Sequence, residues 1–147
     1  MHLLFALRQA IDMLFAEGLP HAFRRHQLLR EAVRRAVAKW GEGQVIGFNI
    51  ADAAERSNTV TTVLVGGGYD PAVLQSYCKE QCGVVLGTGI GDLSGKAFRI
   101  AHMGHVNAPM VLGTLGVIEM ALVALKIPHG RGGLDAAIQW LGESVSA

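Results

Sequence analysis

The sequence predicts an α+β fold: a two-layer sandwich in which a small, mainly antiparallel sheet carries helices on one face and is preceded by two N-terminal helices. Three observations predict it. Apolar residues recur at three- and four-residue steps through the opening stretch. Two β-branched runs, QVIGFNI and TVTTVLV, follow from residue 44 onward. Strand-like and helix-like stretches then alternate to the end, with no internal repeat and no low-complexity tract.

The first helix carries Leu3, Leu4, Leu7, Ile11, Leu14 and Phe15 at helical spacing, and Glu17-Gly18-Leu19-Pro20 stops it with a glycine followed by proline. The second starts near Pro20. Its apolar stripe is Leu28, Leu29, Ala32, Val33, Ala36, Val37 and Trp40, and Arg24, Arg25, Glu31, Arg34, Arg35 and Lys39 give it a basic exterior. These helices form an N-terminal segment over 1–41, and the α+β domain is expected over 42–147. QVIGFNI and TVTTVLV read as two antiparallel strands joined by the polar loop ADAAERSN. GGGYD ends the second strand, and Asp70-Pro71 opens a helix to about Cys82, with an aspartate cap and proline at the first helical position. GVVLGTG is a third strand, IGDLSG a loop and KAFRIAHMG a fourth strand. Asn107 caps the apolar helix that follows, with Pro109 in its first turn, and a short helix near Leu134–Leu141 closes the chain.

At 147 residues the chain buries a real core as one domain without needing disulfides or metal. Its formal net charge of +1 gives no general attraction to nucleic acid or to an anionic membrane. The basic second helix lacks aromatic interleaving and any nucleic-acid motif, so no nucleic-acid partner is expected. Cys78 and Cys82 stand four apart in a helical stretch, the wrong spacing for a redox pair and too few for a structural zinc; reduced thiols in a cytoplasmic protein follow. The N-terminal run contains Arg8 and Asp12 and lacks the basic start and small-residue cleavage site of a signal peptide. Residues 108–125 reach spanning length but contain Glu119, which costs about 2.5–3.5 kcal/mol near a bilayer centre, so a buried or interface helix is expected and no membrane partner. Mean hydropathy of +0.32 is high for a soluble domain of this size and points to surface that belongs against a partner.

The chemistry-bearing residues are few. His102 and His105, three apart, fall on opposite faces of an extended strand and lack further ligands, so no metal site is expected. The glycines of 87–91 do not run from a strand into a helix with phosphate-loop spacing and read as tight turns. No nucleophile, base and orienting acid stand together, and Lys39, Lys79, Lys96 and Lys126 lie on helix exteriors, a helix end and a turn, without the burial that activates an imine-forming lysine. No catalytic residue is assigned. Arg99 remains, set between Phe98 and Ile100 on a strand. Its permanently charged planar fork matches a carboxylate, and burial calls for a partner: either an internal Asp or Glu, or a carboxylate ligand.

Read together, HLLFALRQAIDMLFAEGL, SNTVTTVLV, GTGIGDLSGKAFRIAHMG and NAPMVLGTLGVIEMALVALKIPHGRGGLDAAIQWL resemble the C-terminal part of the class V pyridoxal-phosphate aminotransferases, specifically the alanine/serine–glyoxylate group, over essentially the whole chain. The resemblance implies the small C-terminal domain of a fold-type I enzyme. It also implies that Arg99, matching the family's arginine, binds the α-carboxylate of a small amino or keto acid. In that family the imine-forming lysine, the aspartate at the pyridine nitrogen and the phosphate-binding residues sit in a large domain N-terminal to this region. The resemblance therefore implies an isolated domain, inactive alone, with no cofactor-binding residue and no pyridoxal phosphate expected on this chain. The expected partner is a subunit supplying the large domain, or a further copy in a homo-oligomer, which the apolar N-terminal helix and the apolar face of 108–125 motivate. The alternatives are a non-catalytic interaction module docking on an aminotransferase subunit, and a small-carboxylate binder.

Overall fold

The computed structural model describes residues 1–145. Five helices accompany one four-stranded sheet: α1 (His2–Glu17), α2 (Leu19–Gly41), β1 (Ile46–Phe48), β2 (Val60–Val65), α3 (Pro71–Cys82), β3 (Gly87–Thr88), β4 (Ala97–Ala101), α4 (Ala108–Ala124) and α5 (Gly133–Val145). The sheet order is β1-β2-β4-β3 and every neighbouring pair is antiparallel. The α+β prediction with two leading helices holds.

Alternation along the strands separates the two faces. Thr61, Val63 and Val65 of β2 and Phe98 and Ile100 of β4 are buried, while Val60, Thr62, Leu64 and Arg99 are half-exposed. The buried side meets Leu29, Val33, Val37 and Trp40 of α2, Leu74 of α3, Leu115, Ile118 and Leu122 of α4, and Ala137 and Leu141 of α5 in one continuous core. α1 is different. It buries none of its residues and packs chiefly along α2.

The strands are shorter than the sequence suggests. The third was expected over 83–89 and the fourth over 96–104. Pairing length is set by the partner: β3 is an edge that meets β4 only at Gly87–Arg99 and Thr88–Phe98. Before it, Gly83 ends α3 in the left-handed region (φ 69°) and the Val84 N–H donates back to the Cys78 carbonyl (3.0 Å). β4 stops at Ala101, and soon after it Gly104 turns the chain at φ 87°. The last helix runs longer than expected, over Gly133–Val145.

Local signals behave as their chemistry dictates. The Asp70 carboxylate accepts from the Ala72 N–H (2.8 Å) and the Asn107 side chain from the Met110 N–H (3.0 Å), capping α3 and α4. Glu119, the charge inside the apolar run, has a structural assignment that the sequence does not reveal. Its carboxylate accepts from Trp40 Nε1–H (3.1 Å) and from the N–H groups of Gly132 (3.2 Å) and Leu134 (2.7 Å), so it caps α5 with a negative charge. Among the described residues no helix is long and apolar enough to cross a membrane. Both cysteines are free, and burial, with Cys82 nearby, pushes the Cys78 thiol up to about 11, which suits a packing role.

Candidate functional site

Arg99 lies in the middle of β4 on the face of the sheet that no helix covers. Its cross-strand neighbours there are Thr62 on β2 and Gly87 on β3. Gly87 is what seats it: a Cβ at that position would come within 3.2 Å of Arg99 Cβ and 3.4 Å of Arg99 Nε. The side chain therefore lies over the bare backbone of β3, and its Nε–H donates to the Thr88 carbonyl (2.8 Å).

Of the two partners the sequence left open, the internal acid is absent. Among the described residues Arg99 makes no ion pair, and the four that exist are Arg8–Asp12, Arg25–Glu17, Arg35–Glu31 and Lys39–Glu42. The physical reason is exposure. The strand is buried on one side only, and Arg99 is on the other, half-exposed, where a guanidinium does not require an internal carboxylate. With Nε held by a carbonyl, the guanidinium still offers its Nη1/Nη2 edge, two parallel N–H groups of the spacing that a carboxylate accepts in bidentate fashion. A cavity of about 180 Å³, which Arg99 does not line, opens between β1, β2 and the 51–58 loop, lined by Phe48, Asn49, Arg56 and Thr62 among others. Arg56 stacks on the Phe48 ring at 3.7 Å and donates to the Ile50 and Ala51 carbonyls (both 2.8 Å), which fixes that loop.

The basic exterior of α2 serves the same end of the sheet. Arg34 Nη2 donates to the Arg56 (2.9 Å) and Ser57 (3.2 Å) carbonyls, and Arg30 Nη1 to Asn58 Oδ1 (2.6 Å). Arg25 grips the Glu17 carboxylate with Nε (2.6 Å) and Nη2 (2.7 Å) while Nη1 donates to the carbonyls of Gly104 (2.9 Å) and Val106 (2.8 Å). That hydrogen-bonded fork lowers the pKa of Glu17. The Gly104 N–H donates to His26 Nε2 (3.1 Å), so α2 holds both the end of α1 and the segment that leaves β4. Sequence reading assigned these arginines only to a solvated face. Their work as loop clamps has no local signature, because every partner lies elsewhere in the chain.

The two histidines of HMGH part company. His102 is fully buried, with Nε2 3.0 Å from the Thr61 hydroxyl, and burial, reinforced by the Arg34 charge, pushes its pKa down to about 4. His105 is exposed in the turn after β4. Among the described residues no three His, Cys, Asp or Glu side chains gather as metal ligands. The lysines answer the question of the family's cofactor. Lys79, Lys96 and Lys126 are exposed, Lys39 is half-exposed against Glu42 (2.7 Å), and none lines the cavity beside Thr62. These residues do not fit a seat for an imine-bound pyridoxal phosphate.

Known proteins place this arrangement. No family model matches the chain. The serine–glyoxylate aminotransferase of Methylorubrum extorquens is 37% identical over 145 residues, which is 97% of this chain and 35% of that protein. The serine–glyoxylate aminotransferase of Arabidopsis thaliana is 38% identical over 141 residues, 95% of this chain and 34% of that protein. Among solved structures, the ureidoglycine–glyoxylate aminotransferase of Bacillus subtilis superposes with a TM-score of 0.82 at 27% identity, covering 93% of this chain and 35% of that one. The pyridoxamine–pyruvate aminotransferase of Mesorhizobium loti gives 0.81 at 28% identity, covering 90% of this chain and 33% of that one. The chain thus spans about a third of the length of the relatives it matches. Over that third, their C-terminal portion, it is homologous to the class V aminotransferases of the serine/alanine–glyoxylate group.

Proposed function

We propose that this chain supplies the substrate-carboxylate side of an aminotransferase active site, with Arg99 holding the α-carboxylate of a small amino or keto acid. The observation that carries the reading is the Nη1/Nη2 edge of Arg99, unpaired among the described residues and braced from behind by the Thr88 carbonyl. A bidentate clamp of this kind fixes the orientation of a substrate and performs no bond chemistry of its own. On the family resemblance, the imine-forming lysine and the cofactor seat belong to the two thirds of the relatives' length that this chain does not match. By itself the 147-residue chain is therefore inactive as a transaminase. When bound in a complete enzyme, pyridoxal phosphate supplies the electron sink for transamination.

Calorimetric titration of the chain with glyoxylate tests the clamp. Weak binding is expected, with Arg99→Ala abolishing the heat and Arg99→Lys weakening it because the fork is lost. Binding that survives Arg99→Ala unchanged overturns the reading. Incubation with pyridoxal phosphate, L-serine and glyoxylate, followed by borohydride reduction, is expected to give no turnover and no specific lysine adduct. Turnover with one defined adduct would assign the chain a complete site.

A further inference from the structure

Arg99 takes its aim from the edge of the sheet. Its stem lies over the bare backbone of Gly87 and its Nε–H is held by the Thr88 carbonyl (2.8 Å), so the direction of the open Nη1/Nη2 edge follows β3. β3 itself has few ties. It is two residues long, stands at the edge of the sheet and, among the described residues, pairs only with β4, at Gly87–Arg99 and Thr88–Phe98. Leu86 anchors the chain before it in the core, and the Gly89 N–H donates to the Ala97 carbonyl (3.0 Å) after it. Short edge segments with so few contacts are the ones that open locally while the core stays closed.

One further side chain grips this strand, and it comes from a helix. Gln75 Nε2–H donates to the Gly87 carbonyl (2.8 Å) in a half-buried contact that ties α3 to β3. The helix behind it is firmly seated. Asp70 caps it, Pro71 opens it, and Leu74 and Cys78, on either side of Gln75 in the chain, are fully buried. The two side chains therefore hold consecutive carbonyls, Gln75 that of Gly87 and Arg99 that of Thr88. Consecutive peptides are rigid planes hinged at a single Cα, so a Gly87 carbonyl that swings free carries the Thr88 carbonyl with it.

We infer that Gln75 is a positioning residue for Arg99, pinning from α3 the edge strand whose carbonyl aims the guanidinium. This rests on the carboxylate-binding role proposed above, and two readouts keep the two claims apart. The Arg99 Nε–H signal in proton–nitrogen NMR spectra, assigned by its loss in Arg99→Lys, reports the aim through its exchange with water and needs no ligand. Calorimetry with glyoxylate reports the clamp. Gln75→Leu removes the donor and should speed that exchange and weaken glyoxylate binding, each about three- to tenfold, the worth of one hydrogen bond. Gln75→Glu keeps the length but sets a carboxylate against the Gly87 carbonyl, and should do more. Leu74→Val, which loosens the same helix from the core, should leave both readouts at their wild-type values. Exchange unchanged in Gln75→Leu or Gln75→Glu overturns the inference, as does undiminished glyoxylate affinity in variants whose exchange has quickened. An equal acceleration in Leu74→Val overturns it too, because the effect is then one of α3 stability. Accelerated exchange with no glyoxylate heat from the wild type upholds the hold of Gln75 on Arg99 and overturns the carboxylate role of Arg99 instead.

Discussion

Replacing Glu119 with alanine should cost far more than a half-exposed glutamate ordinarily would. The carboxylate accepts from three donors on two separate elements: Trp40 Nε1–H of α2, and the Gly132 and Leu134 N–H groups at the start of α5. Trp40 is fully buried, so losing its acceptor strands a donor in the core, at about 1–3 kcal/mol. Removing a negative charge from the N-terminus of α5 costs a further ~0.5–2 kcal/mol. The sum is about 3 kcal/mol, and at roughly 2–4 °C per kcal/mol for a chain of this size the melting temperature should fall by about 6–12 °C. Glu119→Gln keeps an acceptor and loses the charge, so it should cost about 1 kcal/mol. Differential scanning calorimetry reads both. A double-mutant cycle with Trp40→Phe, which deletes the indole N–H at a cavity cost that cancels within the cycle, should return a coupling of about 1 kcal/mol. A Glu119→Ala melting temperature within 2 °C of wild type, or a coupling near zero, refutes the assignment of Glu119 as the tie between α2, α4 and α5.

Gly133→Ala should destabilise by about 1–3 kcal/mol, because a Cβ there would drive into the Trp40 indole ring, itself fixed in the core; urea titration followed by tryptophan emission checks it, and an unchanged midpoint contradicts the close approach. His102 sets an acid limb of stability. Its pKa falls from 6.5 to about 4 on folding, so between those values the unfolded chain binds the proton that the folded chain refuses. Stability should be fully present above pH 6.5 and decline by about 3 kcal/mol as pH falls toward 4. Urea midpoints at pH 7 and pH 4.5 should differ in wild type and converge in His102→Asn; an undiminished pH difference in that variant would remove His102 as the cause.

The sequence determined the α+β class, the order of the elements and the caps at Asp70 and Asn107, because each depends on neighbours within a few residues. Periodicity, a capping side chain and a proline at the first helical turn are local facts. It also determined Arg99 as the one cation on an otherwise apolar strand. Its partner is a matter of register. The sequence left an acid and a ligand open, and only the edge pairing of β3 with β4 sets Gly87 opposite Arg99 and brings the Thr88 carbonyl to its Nε. The same distinction explains Glu119, whose donors lie 79 residues upstream and 13 and 15 residues downstream, and Arg25, which reaches 81 residues along the chain to Val106. It also explains the strand lengths, since a ladder lasts only as long as its neighbour does. The apolar helical periodicity of α1 was legible from its spacing alone. That no described residue buries α1 was decided by the tertiary structure, because α2, α3, α4 and α5 close the core without it.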